Sequence, residues 1–287
     1  MRGGTKSRGY TIIEVMIFLA ISGLMFVIAA IFVSGKQSNA EFSQGMNDIN
    51  TRIQQVISDV GNGFYPSSSN FSCMGHIGPP NSISFPFGSN VQGTNGGHLG
   101  GSNVGCVFMG KAIQIGTDTS SSGYNIFSIA GLQYTDIKNT LPTTYAQAVP
   151  TVITASGVTQ SETLSWGLKI TKMTSGGVNK INAIAFVSSL NGGSVSATQN
   201  VVAVPIPGDL SLAESESSMA GDINFTLRGA DLSIASNPNP KILVCFDGGR
   251  GKYGTLTIGN STGTSGQRLS TNIQIYSDSA GWVGAGC

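Results

Sequence analysis

From Val15 to Val33 the chain runs for nineteen residues with no charge and no proline. A helix needs roughly twenty such residues to cross a bilayer. The run is apolar all round, which suits a helix buried in lipid or in a bundle. After Ser34-Gly35-Lys36 the pattern changes. Phe42, Met46, Ile49, Ile53, Val56, Ile57 and Val60 recur at spacings of three and four, with Glu41, Gln44, Asn47, Asp48, Arg52, Gln55 and Asp59 between them. That spacing predicts an amphipathic helix, stopped at Gly61-Asn62-Gly63. Gly45 lies inside it and weakens it by about 1 kcal/mol relative to alanine. Joined to the apolar run, the helix extends from Tyr10 to Val60, about fifty residues and roughly 75 Å. Its second half is expected to lay its apolar stripe on a sheet.

From Phe64 to Pro240 the pattern shortens to runs rich in Val, Ile, Phe and Thr, bounded by Gly, Asn and Ser. Strands are expected at Ser82 to Phe87, Val104 to Met109, Asn125 to Ala130, Thr151 to Thr154, Leu164 to Ile170, Ile181 to Ser188 and Gln199 to Pro205. The run Ile181 to Val187 is nearly continuous in apolar character, as a central strand is. Gly88 to Gly105 reads as a glycine-rich loop. Pro207 to Asp222, with Asp209, Glu214, Glu216 and Asp222 among serines, reads as a solvated loop with a short helical turn rather than as a calcium site. Ile242 to Phe246, the turn Asp247-Gly248-Gly249-Arg250-Gly251-Lys252, Tyr253 to Ile258 and Thr271 to Tyr276 read as a closing antiparallel sheet. The fold class is α+β, a long N-terminal helix packed on a β-rich globular head.

The front of the apolar run carries the most specific signal. A cationic leader, Met1 to Gly9, holds Arg2, Lys6 and Arg8 and ends in Gly9-Tyr10-Thr11-Ile12-Ile13-Glu14. A carboxylate at that place costs free energy in a membrane, less near the interface than at the centre, and an anchor has no need of it. The run is also longer than the 7–15 apolar residues of a secretory signal, and no small-x-small cleavage site follows it. A basic leader ending in glycine, then an aromatic or apolar residue, Thr, two apolar residues, Glu and an apolar run resembles a type IV prepilin, the family of pilins and pseudopilins. The resemblance covers about the first thirty residues. It implies cleavage between Gly9 and Tyr10 by a prepilin peptidase and N-methylation of Tyr10. It further implies that Glu14 meets the Tyr10 amine of a neighbouring subunit during assembly. Gly23 falls where many family members have a helix-weakening glycine, whereas Ile31 stands where they often have proline.

On this reading residues 1–9 are the leader and 10–34 the transmembrane and filament-core helix. Residues 35–62 are the amphipathic continuation, 63–240 a β-rich variable head and 241–287 a C-terminal antiparallel sheet. The expected partners are the peptidase, other pilin or pseudopilin subunits and the membrane. The chain would cross the inner membrane once, with its head outside the cytoplasm, before joining a surface filament. The alternative is a membrane-anchored binding module, an adhesin or a DNA-uptake receptor.

Composition adds limits. The chain of 287 residues has 15 Lys+Arg, 14 Asp+Glu and 40 glycines. Such a near-neutral balance gives no global attraction to nucleic acid or acidic lipid. Low charge with abundant Gly, Ser, Thr and Asn suits an exported β-rich protein better than a cytosolic enzyme. Four cysteines in an exported chain favour two disulfides. The pairs expected are Cys73–Cys106 and Cys245–Cys287, because each closes a local loop. The second resembles the C-terminal disulfide loop of many pilins. Cys73, His76, His98 and Cys106 also make up a two-Cys, two-His zinc ligand set, but oxidation in that compartment favours the disulfide, so no metal or other cofactor is expected. No catalytic triad can be placed. Gly248-Gly249-Arg250-Gly251-Lys252 fails the spacing of a phosphate-binding loop and reads as a hairpin turn. Arg250, Lys252 and Tyr253 there offer only a weak DNA-contact signal.

Overall fold

The computed structural model describes residues 11–63, 74–76, 82–84, 105–117, 120–135, 138, 140–154, 157–176, 179–188, 201–210, 214–230, 241–259 and 269–287. The first element is one unbroken helix, α1 (Ile12–Gly61), of 50 residues. With isoleucine where related helices often have proline, nothing removes a backbone donor from its ladder. The helix ends at Asn62, whose N–H donates to the Ser58 carbonyl, and Gly63 follows in the left-handed region at φ +67°.

Among the described residues twelve strands follow. β1 (Met74–His76) and β2 (Ser82–Ser84) form a small separate pair. The main sheet is built from β3 (Cys106–Thr117), β4 (Ser120–Leu132), β5 (Thr151–Ile153), β6 (Gln160–Thr163), β7 (Lys169–Ser175), β8 (Asn179–Ser188), β9 (Val201–Pro207), β10 (Ile242–Asp247), β11 (Tyr253–Gly259) and β12 (Ser270–Tyr276). Its order is β12-β11-β10-β7-β8-β3-β4-β5, with β6 also on β4 and β9 also on β8. Each of these pairings is antiparallel. β7 and β8 pair only beside their hairpin, at Thr174–Lys180 and Ser175–Asn179. Beyond that point β9 lies along β8, so the sheet forks into a limb of β3, β4, β5, β6, β8 and β9 and a limb of β7, β10, β11 and β12. β8, with β3 and β9 bonded to it, is central as its continuous apolar run implied.

The helix stripe explains the fork. Phe42, Met46, Ile49, Ile53, Val56 and Val60 are buried in one core with Ile113, Ile126, Ile184 and Phe186 of the first limb and Val244, Phe246, Leu256 and Ile258 of the second. The other face of the first limb has a second core. There Ala183, Ala185 and Val187 alternate with the residues facing α1 and pack with Met219, Ala220, Ile223 and Leu227 of α3 (Glu216–Gly229) and with Tyr145 and Ala148 of the short α2 (Tyr145–Ala148). The first limb is therefore a sheet between two helical layers. A last short helix, α4 (Ser279–Gly284), follows β12 and is capped by Asp278, whose carboxylate accepts from the Gly281 N–H at 2.7 Å.

Three expectations are corrected. The loop expected from Pro207 to Asp222 instead leads into α3, 14 residues long, whose N-cap Ser215 accepts from the Ser218 N–H at 3.3 Å. The apolar spacing of Met219, Ala220, Ile223 and Leu227 holds it on the sheet despite Gly221. The strand expected to end at Met109 continues to Thr117. Gly110 extends it, because any Cβ there would overlap the Phe186 carbonyl of β8. The strand expected from Leu164 to Ile170 is broken by a 3₁₀ turn, Ser165–Gly167, in which Trp166 and Gly167 have φ +61° and +70°. That turn rests on α1 at Gly45. A Cβ on Gly45 would overlap Leu168 Cδ1 and stand 3.2 Å from the Ser165 carbonyl.

Candidate functional site

The first turn of α1 is built by Thr11 and Glu14. Thr11 is extended, and its Oγ1 accepts from the Glu14 N–H at 3.3 Å while its carbonyl accepts from Glu14 and Val15 at 3.0 and 3.2 Å. Thr-x-x-Glu has the spacing of a capping box, and the half of it formed here is the bond from the Glu14 N–H to Thr11 Oγ1. A carboxylate in the first turn also complements the positive end of the helix dipole. Glu14 thus has a local reason that its position in an apolar segment concealed. Thr11, named in the sequence only as part of the motif, is also the N-cap of this turn, and the three-residue spacing to Glu14 was the signal for it.

Behind that turn, Ile12–Ile31 forms 20 residues long and apolar enough to cross a membrane, and none of that surface is buried within the chain. Phe18 and Phe26 are 71% and 75% exposed. The Ser22 hydroxyl donates to the Phe18 carbonyl at 2.8 Å, so its polar group is satisfied inside the helix. Nothing lies within 4 Å of where a Cβ on Gly23 would stand. Beyond Glu14 the surface carries no charge, and past the first turn the helix pairs its own backbone groups, as hydrocarbon demands. The model for the prokaryotic N-terminal methylation motif matches residues 4–30.

That motif, with the apolar helix behind it, fits a type IV prepilin-like protein. The match stops short of the head, and no curated protein and no solved structure matches the chain. Gly9 and Tyr10 lie outside the described residues. Glu14 is exposed at the head of the projecting half-helix.

In the head of this prepilin-like chain, Cys245 on β10 is joined to Cys287 beyond α4, with their Cα atoms 5.8 Å apart. The Lys172 ammonium donates to the Gly286 carbonyl at 2.7 Å, holding the same segment against β7. Cys106 is buried and also disulfide-bonded, so its sulfur is no thiolate ligand for zinc. Cys73 and His98 lie outside the described residues, and His76 is on β1.

The turn after β10 is a tight hairpin. Gly249, Arg250 and Gly251 all have positive φ, at +69°, +54° and +73°. Of its cations, Lys252 turns back to the Ser38 hydroxyl on α1. The Tyr253 ring stacks on Trp282 with centroids 4.6 Å apart, so one of its faces is already covered. Arg250 alone of the three points away exposed.

A polar cleft of about 360 Å³ lies between α1 and the segment 162–165. Arg52 pairs there with Glu162 and donates to Gln160 at 2.7 Å, and Tyr124 donates to the same Glu162. Burial, with the Glu162 carboxylate beside it, pushes the Tyr124 hydroxyl far above the ordinary tyrosine range. The phenol and the arginine-held carboxylate together tie the helix to the sheet.

Proposed function

We propose that this chain is a minor pilin or pseudopilin, a structural subunit processed after Gly9 and built into a type IV pilus-like or type II secretion-like filament through α1. The observation that carries the reading is the division of one continuous helix. Its second half is buried on the sheet, and its first 20 residues project with no covering from the chain itself. Such a surface is stable in a bilayer before assembly and among like helices after it. The Thr11–Glu14 turn at its tip and the matched methylation motif supply the processing signal. A head of about 225 residues is larger than a plain shaft subunit needs, which favours a minor role at a tip or in an initiation complex. The inner membrane is the proposed site before assembly, with the head outside the cytoplasm.

The deciding experiment is mass spectrometry of the protein from cells with an active prepilin peptidase. Tyr10 is expected as the first residue and as the methylated one. Retention of Met1 in those cells would sink the proposal. Gly9→Val should block the cut, because a β-branched side chain crowds the residue before it.

A further inference from the structure

α3 presents to solvent a face that the core does not explain. It packs on the first limb through Met219, Ala220, Ile223 and Leu227, which lie on one side of the helix. Phe225 lies on the opposite side and is 82% exposed, the most of any large apolar side chain described in the head. Gly221 stands one turn before it and Gly229 one turn after, and nothing lies within 4 Å of where a Cβ on either would be. Glycine weakens a helix interior, and no contact inside the chain calls for Gly221. Asp222 and Arg228 flank the same face, three residues before and after Phe225, and both are exposed. The outer face of α3 is thus an aromatic knob between two bare patches of backbone, with one acid and one base at equal spacings.

We propose that two copies of this chain pair through α3, antiparallel, about a two-fold axis at Phe225. A two-fold interface must be complementary to itself. In such a pair, a residue a given number of places before Phe225 stands level with the residue the same number after it in the second copy. Three places set Asp222 level with Arg228 of the second copy, and the axis makes that pair twice. Four places set Gly221 level with Gly229. A face with two like charges at those positions would repel its own image, whereas an acid and a base attract it. This symmetry of charge is what selects a second copy over an unrelated partner. Side chains on a helix lean toward its N-terminus, so each Phe225 ring leans off the axis and onto Gly229 of the second copy. The missing side chain there leaves room for the ring and lets the backbones approach. Within the chain Arg228 Nη2 donates to the Thr151 hydroxyl at 3.4 Å, which leaves guanidinium donors for a carboxylate. α3 lies on the face of the first limb away from α1. The pairing therefore leaves the projecting half-helix free and does not depend on the filament reading. At 14 residues α3 is about 21 Å long, short for a standard interface, and the pair belongs to the weak, transient class.

The test is sedimentation equilibrium of the full chain in detergent, at low salt and up to about 100 μM, where a weak pair is populated. A dimer is expected. Phe225→Ala, Asp222→Arg and Arg228→Asp should each weaken it roughly tenfold or more, since the axis counts every change twice. All three lie on the exposed face and should keep the parent's circular dichroism. Mixing Asp222→Arg with Arg228→Asp should restore the dimer as a mixed pair, because each variant then meets the opposite charge. A Phe225→Cys chain should close a disulfide with its own copy on mild oxidation, since residue 225 meets itself at the axis. A monomer at every concentration would overturn the pairing. A dimer that ignores all three substitutions would mean that the copies meet elsewhere, and would overturn it too. Mixed variants that stay monomeric would overturn the two-fold arrangement.

Discussion

On the proposed filament role, Glu14 has two ends to serve, and mutation can separate them. Its place in the first turn of α1 complements the helix dipole, worth typically 0.3–1 kcal/mol at an exposed site. Pairing with the Tyr10 amine of a neighbour in a low-dielectric bundle is worth more, since breaking a buried pair costs about 3–5 kcal/mol. Glutamine keeps the capping pattern with Thr11 but removes the charge; leucine removes both. Glu14→Gln and Glu14→Leu should therefore both insert and be cleaved, yet both fail to enter filaments. Cross-linking or co-purification with other pilins, set against total membrane level, measures this. Incorporation of Glu14→Gln at the parental level would reduce Glu14 to a helix-capping residue.

Among the elements, the contact between α1 and the turn Ser165–Gly167 reverses a sequence-based expectation. In an isolated helix, Gly45→Ala would stabilise by about 1 kcal/mol. In the structure the added methyl overlaps Leu168 Cδ1, and overpacking of that kind typically costs about 1–3 kcal/mol. Gly45→Ala should therefore lower the urea midpoint of the full chain; a raised midpoint would mean that the turn yields without cost. The same contact shows what the sequence made legible. The stripe from Phe42 to Val60 was readable because helical spacing is a local property, and so were β8 and, in the second limb, β10, β11 and β12. The left-handed Trp166 was not, because only the close approach to Gly45 requires that turn. α3 was partly readable from Ser215 and the spacing of Met219, Ile223 and Leu227, but its serines and two glycines mimic a loop. The Thr11–Glu14 cap was readable throughout, and the demand for an external partner for Glu14 drew attention from it.

For the molecule as a whole, the Cys245–Cys287 bond closes a loop with a sequence separation of 42. Loop-closure entropy for that length gives about 4 kcal/mol. Cys245→Ser with Cys287→Ser should lower stability by that order in thermal unfolding, with the helix content of α1 kept. An unchanged Tm would show that Lys172 and the stacked Trp282 suffice to hold the segment. The long helix has a mechanical consequence as well. A filament subunit is dragged by its head and held by its stem, so load runs along the axis of α1. Phe42, Met46, Ile49, Ile53, Val56 and Val60 lie along that axis and engage both limbs of the forked sheet. Tension then loads them in shear, all at once, instead of peeling them one by one. In single-molecule pulling, a handle at residue 11 should rupture the head at higher force than one at Gly157 in the β5–β6 loop, which frees strands in sequence. Equal rupture forces would show that the stem and the head are not joined as a spline in its slot.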